Sequence, residues 1–177
     1  MMNTTTLILP GFGNSDPGHW QSCWEAMNPN FIRVQQRDWD HPDRGDWVDA
    51  LEKCASQFDN EIMLVAHSLG CLLVAHWVAQ TNCKIRGALL VAPPDSGRAD
   101  FPKQITGFHP FPLTPFDFPS IVVASSDDPY GDLKFSETCA KAWGSRFTNI
   151  GEFGHINTIS GFGLWPEGYS LYQQLCK

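Results

Sequence analysis

The sequence predicts an α/β fold, a parallel sheet flanked by helices. Two observations lead there. Short apolar runs bounded by turn residues recur along the chain, and several are apolar at every position, as in strands covered on both faces. Between these runs fall segments with helical periodicity, and strand–helix alternation builds a parallel sheet. The 177 residues contain no repeat and no dividing linker, so residues 1–177 are read as one domain.

In chain order, residues 5–9 are the first strand and 19–27 the first helix. Residues 31–35 are the second strand. The helix over 46–58 places Trp47, Leu51, Cys54 and Phe58 on one face, with Asp46 as its starting cap. Residues 62–66 form the third strand, 69–80 the third helix and 87–91 the fourth strand. Residues 93–119 break the rhythm: they hold seven of the thirteen prolines and no clear periodicity. They read either as a stiff surface connection or as a loop over a site. Residues 120–125 are the fifth strand, 132–143 a helix capped by Asp132, and 146–150 the sixth strand. The last helix, 167–175, has Pro166 and Glu167 near its first turn, where both are tolerated or favoured.

The formal net charge is −7 and no run of Lys or Arg occurs, which argues against nucleic acid or an anionic membrane surface as the main partner. The opening MMNTTTLILPGFG lacks the basic region and apolar length of a signal peptide, and no segment approaches a membrane span. The six cysteines show no zinc spacing and are read as reduced thiols of a cytoplasmic protein, although their even number leaves disulfides formally open. No HExxH or carboxylate cluster suggests a metal.

One stretch interrupts the core pattern: VAHSLGCLL, residues 65–73. The third strand ends at Ala66 and the next helix begins near Leu69, so His67 and Ser68 form a sharp strand-to-helix corner. Such a corner needs small residues two positions either side of its centre, here Ala66 and Gly70. This is the nucleophile elbow, usually G-x-S-x-G, with Ala66 in place of the first glycine. It exposes the Ser68 hydroxyl and sets the Leu69 N–H at a helix N-terminus, where it can receive an oxyanion.

A nucleophilic hydroxyl needs a base, and the base an orienting carboxylate. After the fifth strand stands Ser126-Asp127-Asp128-Pro129, and after the sixth Gly154-His155. Ser68, an aspartate and His155 thus fall at the ends of the third, fifth and sixth strands, in the order Ser, Asp, His. Pro129 holds the preceding residue extended, which selects Asp128, while Asp127 suits a turn-stabilising role. The loop after the first strand, Pro10-Gly11-Phe12-Gly13, offers the Phe12 N–H as second oxyanion donor. It is neither a P-loop, lacking Gly-Lys-Ser/Thr, nor a dinucleotide loop, since Asp16 replaces the third glycine.

The segments PGFGNSDPGHWQSCWE, RDWD at 37–40, VAHSLG, LLVAPP at 89–94, SSDDPY and GHIN together resemble the α/β-hydrolase superfamily. Within it the chain is similar to the small serine hydrolases of the YdeN and retinoblastoma-binding-protein-nine type. The resemblance implies a compact three-layer α/β/α sandwich of about six parallel strands without a large cap domain. It also maps the family's catalytic triad onto Ser68, Asp128 and His155.

Other residues carry weaker readings. His67 reads as support for the nucleophile or, preferably, as a partly buried side chain bonded to backbone. His19 and Trp20 read as substrate contacts and Trp24 as core. Trp165 reads as an acyl-pocket wall or as packing, and Arg37, Asp38 and Trp39 as a buried ion pair or loop brace. His41, His76 and His109 are assigned no chemistry. The expectation is a cofactor-independent hydrolase of small, short-chain esters. Amide or thioester cleavage would use the same parts, and a catalytically silent binding module remains the alternative.

Overall fold

The computed structural model describes residues 4–177. The start of the stretch read for a leader, residues 1–3, lies outside the described residues. Strands β1 (Thr6–Leu9), β2 (Phe31–Arg33), β3 (Ile62–His67), β4 (Ile85–Val91), β5 (Ser120–Ala124) and β6 (Arg146–Asn149) form one sheet in the order β2-β1-β3-β4-β5-β6. Every neighbouring pair is parallel. Five helices connect them: α1 (Trp20–Met27), α2 (Arg44–Ala55), α3 (Leu69–Val78), α4 (Leu133–Trp143) and α5 (Pro166–Leu175).

Alternation along the strands sends side chains into two apolar layers. Leu7, Leu9, Leu64, Ala66, Leu90 and Val122 meet α2, α3 and α4 on one face. Ile8, Met63, Val65, Leu89 and Val123 meet Trp20 and Trp24 of α1 and Tyr172 of α5 on the other. Helix α3 is buried from Leu69 to Trp77, as its apolar sequence requires for a helix under the centre of the sheet. The strand order reverses between β1 and β3, and a crevice opens beyond the carboxyl ends of strands at such a point.

Three local expectations change. Helix α2 begins at Arg44, and Asp43 rather than Asp46 is its cap: the Asp46 N–H donates to Asp43 Oδ1 at 3.1 Å. Asp46 occupies the first turn, where its charge meets the helix dipole. The buried ion pair suggested for residues 37–39 does not form. Arg37 and Asp46 pair at 3.5 Å in solvent, while the Asp38 carbonyl accepts the Trp47 indole N–H and the Trp39 carbonyl accepts the Gly13 N–H. These residues brace the loop instead. Residues 93–119 are both things proposed for them. The Thr106 N–H donates to the Pro42 carbonyl, Phe108 is buried edge-on against Trp47, and the Trp143 indole donates to the Pro112 carbonyl. Fastened this way, the segment also walls the crevice.

All six cysteines are free, and Cys71 and Cys139 are buried as small apolar groups. Among the described residues no helix is long and apolar enough to cross a membrane.

Candidate active site

Ser68 stands between the last residue of β3 and the first of α3, with φ 54° and ψ −124°. Its N–H is tied to the Val91 carbonyl at 2.9 Å, which pins the corner to β4. The corner is possible because Gly70 has no side chain: a Cβ there would collide with the Leu9 carbonyl oxygen. Gly11 is equally constrained. A Cβ on it would lie 2.7 Å from Ser68 Cβ and 3.2 Å from the Leu69 nitrogen. The loop after β1 is thus pressed against the elbow.

Three side chains remote in sequence meet over this corner. His155 Nε2 lies 2.8 Å from Ser68 Oγ, and His155 Nδ1 lies 2.9 Å from both carboxylate oxygens of Asp128. Asp128 also accepts the Tyr130 N–H at 2.9 Å, and the Tyr130 ring stands edge-on to His155 at 4.6 Å. Asp127 points elsewhere: its Oδ1 accepts the Ser125 hydroxyl and the Gly154 N–H, each at 2.7 Å. Those two donors hold its carboxyl below the usual range. Asp127 therefore ties the loop after β5 to the loop that carries His155.

Behind the corner, the His67 ring N–H donates to the His155 carbonyl at 2.8 Å. Burial, reinforced by the neighbouring His155 and His19, pushes the His67 pKa well below its ordinary value, so the ring is neutral. The backbone-bonded reading of His67 fits, and the bond also fixes the histidine loop. Gln21 performs a related task that the sequence reading missed. Fully buried, it donates from Nε2 to the carbonyls of Leu9 and Val65 and accepts the Ser15 hydroxyl. The available signal was a polar residue three positions before Trp24, on a helix face otherwise packed into the core.

The Leu69 N–H heads α3 and has no intrahelical partner. The Phe12 N–H meets no acceptor among the described residues. Both belong to the wall of a cavity of about 610 Å³ that also contains His19, Ser68, Tyr130 and His155. Pro94, Phe101, Pro102 and Ile105 add apolar surface to its lining.

Two expected substrate contacts are corrected. Trp20 is 0% exposed and does not line the cavity; its indole N–H supports the Ile156 carbonyl at 2.9 Å. Trp165 packs against Trp20 and stacks on Trp24, within the layer between α1 and α5. Trp20 and Trp24 share the buried face of α1, and Trp165 at the start of α5 packs over them. His19, one residue earlier, does reach the wall.

A parallel sheet of this order, with a strained serine raised at the head of its central helix, defines an α/β hydrolase. The chain belongs to the serine hydrolase family, whose model matches residues 6–174. The crystal structure of a YdeN-like protein from Pectobacterium atrosepticum superposes with a TM-score of 0.84 at 34% identity, over 98% of this chain and 89% of that one. The YdeN protein of Bacillus subtilis (strain 168) is 24% identical in sequence alignment, over 96% of this chain and 95% of its own. Its structure superposes with a TM-score of 0.77 at 20% identity, over 98% of both chains. A Bacillus cereus carboxylesterase shares the fold, with a TM-score of 0.60 at 15% identity over 98% of this chain and 87% of that one.

Proposed function

We propose that this hydrolase cleaves small carboxylic esters through Ser68, His155 and Asp128. The observation that carries the reading is the unbroken hydrogen-bonded line from Ser68 Oγ through His155 to Asp128, with links of 2.8 and 2.9 Å. His155 Nε2 takes the proton as Ser68 Oγ attacks the acyl carbon. Asp128 accepts the Nδ1–H, fixes the tautomer and stabilises the imidazolium. The Phe12 and Leu69 N–H groups receive the oxyanion. As the tetrahedral intermediate collapses, His155 gives its proton to the departing alcohol oxygen and the acyl group stays on Ser68. A water, deprotonated by His155, then attacks the acyl carbon, releasing the acid and restoring the hydroxyl. No step calls on a cofactor.

The apolar residues in the lining and the cavity size, within the usual range for small-ligand sites, support a small, largely apolar substrate. With no cap domain over the crevice among the described residues, short acyl chains are expected to turn over fastest. The test is a fluorophosphonate probe followed by nitrophenyl esters of graded acyl length. Labelling and turnover are expected in the wild type and lost in Ser68→Ala. A folded wild type that takes no label would overturn the reading and favour a silent, protein-binding hydrolase fold. Faster cleavage of long acyl esters would overturn the chain-length preference.

A further inference from the structure

The cavity that holds Ser68 is lined by three carboxylates, Asp16, Asp95 and Asp100, and by one guanidinium, Arg98. Arg98 is already engaged: its Nε and Nη2 donate to the two oxygens of Asp100 at 2.8 and 2.6 Å, a bidentate pair whose charges cancel. Asp16 and Asp95 have no ion-pair partner among the described residues. Asp16 accepts the Thr158 hydroxyl and the Gly18 N–H, each at 2.8 Å, and these bonds hold its carboxyl below the usual range. Asp95 accepts the Gly97 N–H at 2.9 Å and no other donor among the described residues. His19 and His67 do not offset these charges, because burial keeps both rings neutral.

The lining thus carries an excess of two negative charges, on a chain of net charge −7. Coulombic attraction needs no directed contact, only a place in the same wall. A compact space of 610 Å³ is about 10 Å across, close to the Debye length of about 8 Å at physiological salt. The charges are therefore felt throughout it. A second feature agrees with them. Phe12 and Tyr130 also line the cavity, and their rings remain 39% and 54% exposed. Aromatic rings open to a cavity attract cations through their faces. The acyl portion is short in the ester reading above, so the charge belongs on the alcohol.

We propose that this site selects esters whose alcohol carries an ammonium group over neutral esters of the same shape. This rests on the ester-hydrolase reading. A matched pair tests it: acetylcholine and 3,3-dimethylbutyl acetate differ by a positive nitrogen in place of a quaternary carbon. Each kcat/KM is divided by the rate of hydrolysis by hydroxide, which removes the difference in leaving-group reactivity. The wild type is expected to prefer acetylcholine by about tenfold at low salt, and by about twofold in 0.5 M NaCl, where screening shortens the reach of the charges. Asp95→Asn is expected to lower the low-salt preference about threefold. Arg98→Gln releases the Asp100 carboxylate and is expected to raise it about threefold. The preference is a ratio within one protein, so a general loss of activity does not move it, and a packing fault would not drive the two variants in opposite directions.

Equal turnover of the pair by the wild type overturns the proposal, as does a preference that ignores salt or shifts the same way in both variants. Cleavage of nitrophenyl acetate with acetylcholine refused overturns the inference and leaves the ester reading standing. A wild type that takes the fluorophosphonate label but cleaves none of the three esters removes the ester reading and the inference with it.

Discussion

Ser68 adopts a backbone conformation, φ 54° and ψ −124°, that only glycine takes without strain. Residues held this way cost about 1–3 kcal/mol and persist where the surroundings over-determine them. Here the Val91 carbonyl and the close approaches at Gly70 and Gly11 do so. Ser68→Gly is therefore expected to raise the melting temperature by about 2–4 °C while abolishing fluorophosphonate labelling. A lower melting temperature would show that the serine is not strained. The two adjacent aspartates allow a second test. Asp128→Asn removes the acceptor of His155 Nδ1–H and is expected to cut kcat on a nitrophenyl ester by about ten-thousand-fold. Asp127→Asn weakens only the bonds from the Ser125 hydroxyl and the Gly154 N–H, and a loss of about tenfold or less is expected. Equal losses would contradict the division of roles. This choice was legible in the sequence because Pro129 acts locally, on the residue beside it.

Elements were readable where their signals are local and misread where a partner lies far along the chain. All six strands and five helices fall within a few residues of their expected places, because alternation and periodicity are properties of short windows. The start of α2 shifted to Arg44 because two aspartates, Asp43 and Asp46, both suit a cap, and only the turn geometry chooses. Asp43→Ala is expected to cost about 1 kcal/mol, since it removes the cap and the bond from the Thr106 hydroxyl. Asp46→Ala should cost less, because it removes only a charge near the helix dipole and an exposed pair with Arg37. Chemical denaturation of both variants measures the difference, and the opposite ranking would restore Asp46 as the cap. Trp20 and Trp165 were misplaced for the other reason. Their burial depends on α5 packing over α1, a contact between the two ends of the chain that no window of sequence contains.

The hydrolase fold gathers side chains from successive strand ends, and those ends converge because parallel strands all point the same way. The same convergence places His19 and His67, together with His155, in one confined space. His19 and His67 are neutral because burial opposes their charge, and that makes the whole molecule sensitive to acid. In the unfolded chain each takes up a proton near pH 6.5. In the folded protein His19 does so only near 4, and His67 well below its ordinary value. Between these limits the unfolded state binds more protons, so stability falls as pH falls. For His19 the contribution is complete above pH 6.5 and lost progressively toward 4, at about 1.4 kcal/mol per pH unit, and His67 acts in the same direction. For His19 alone this amounts to roughly 3 kcal/mol. His76 is also lowered by burial, opposed by its bond to the Phe108 carbonyl, and acts in the same direction. The carboxylates with depressed pKa values, such as Asp16 and Asp43, act in a separate window below about 4. Melting temperatures are therefore expected to hold steady from pH 8 to 6.5 and then drop steeply before any carboxylate titrates. His19→Asn removes one of these histidine titrations and should flatten that drop. A flat profile between pH 6.5 and 5 would mean that these rings accept protons in the folded state, and a wild-type slope in His19→Asn would mean that His19 is not one of the groups responsible.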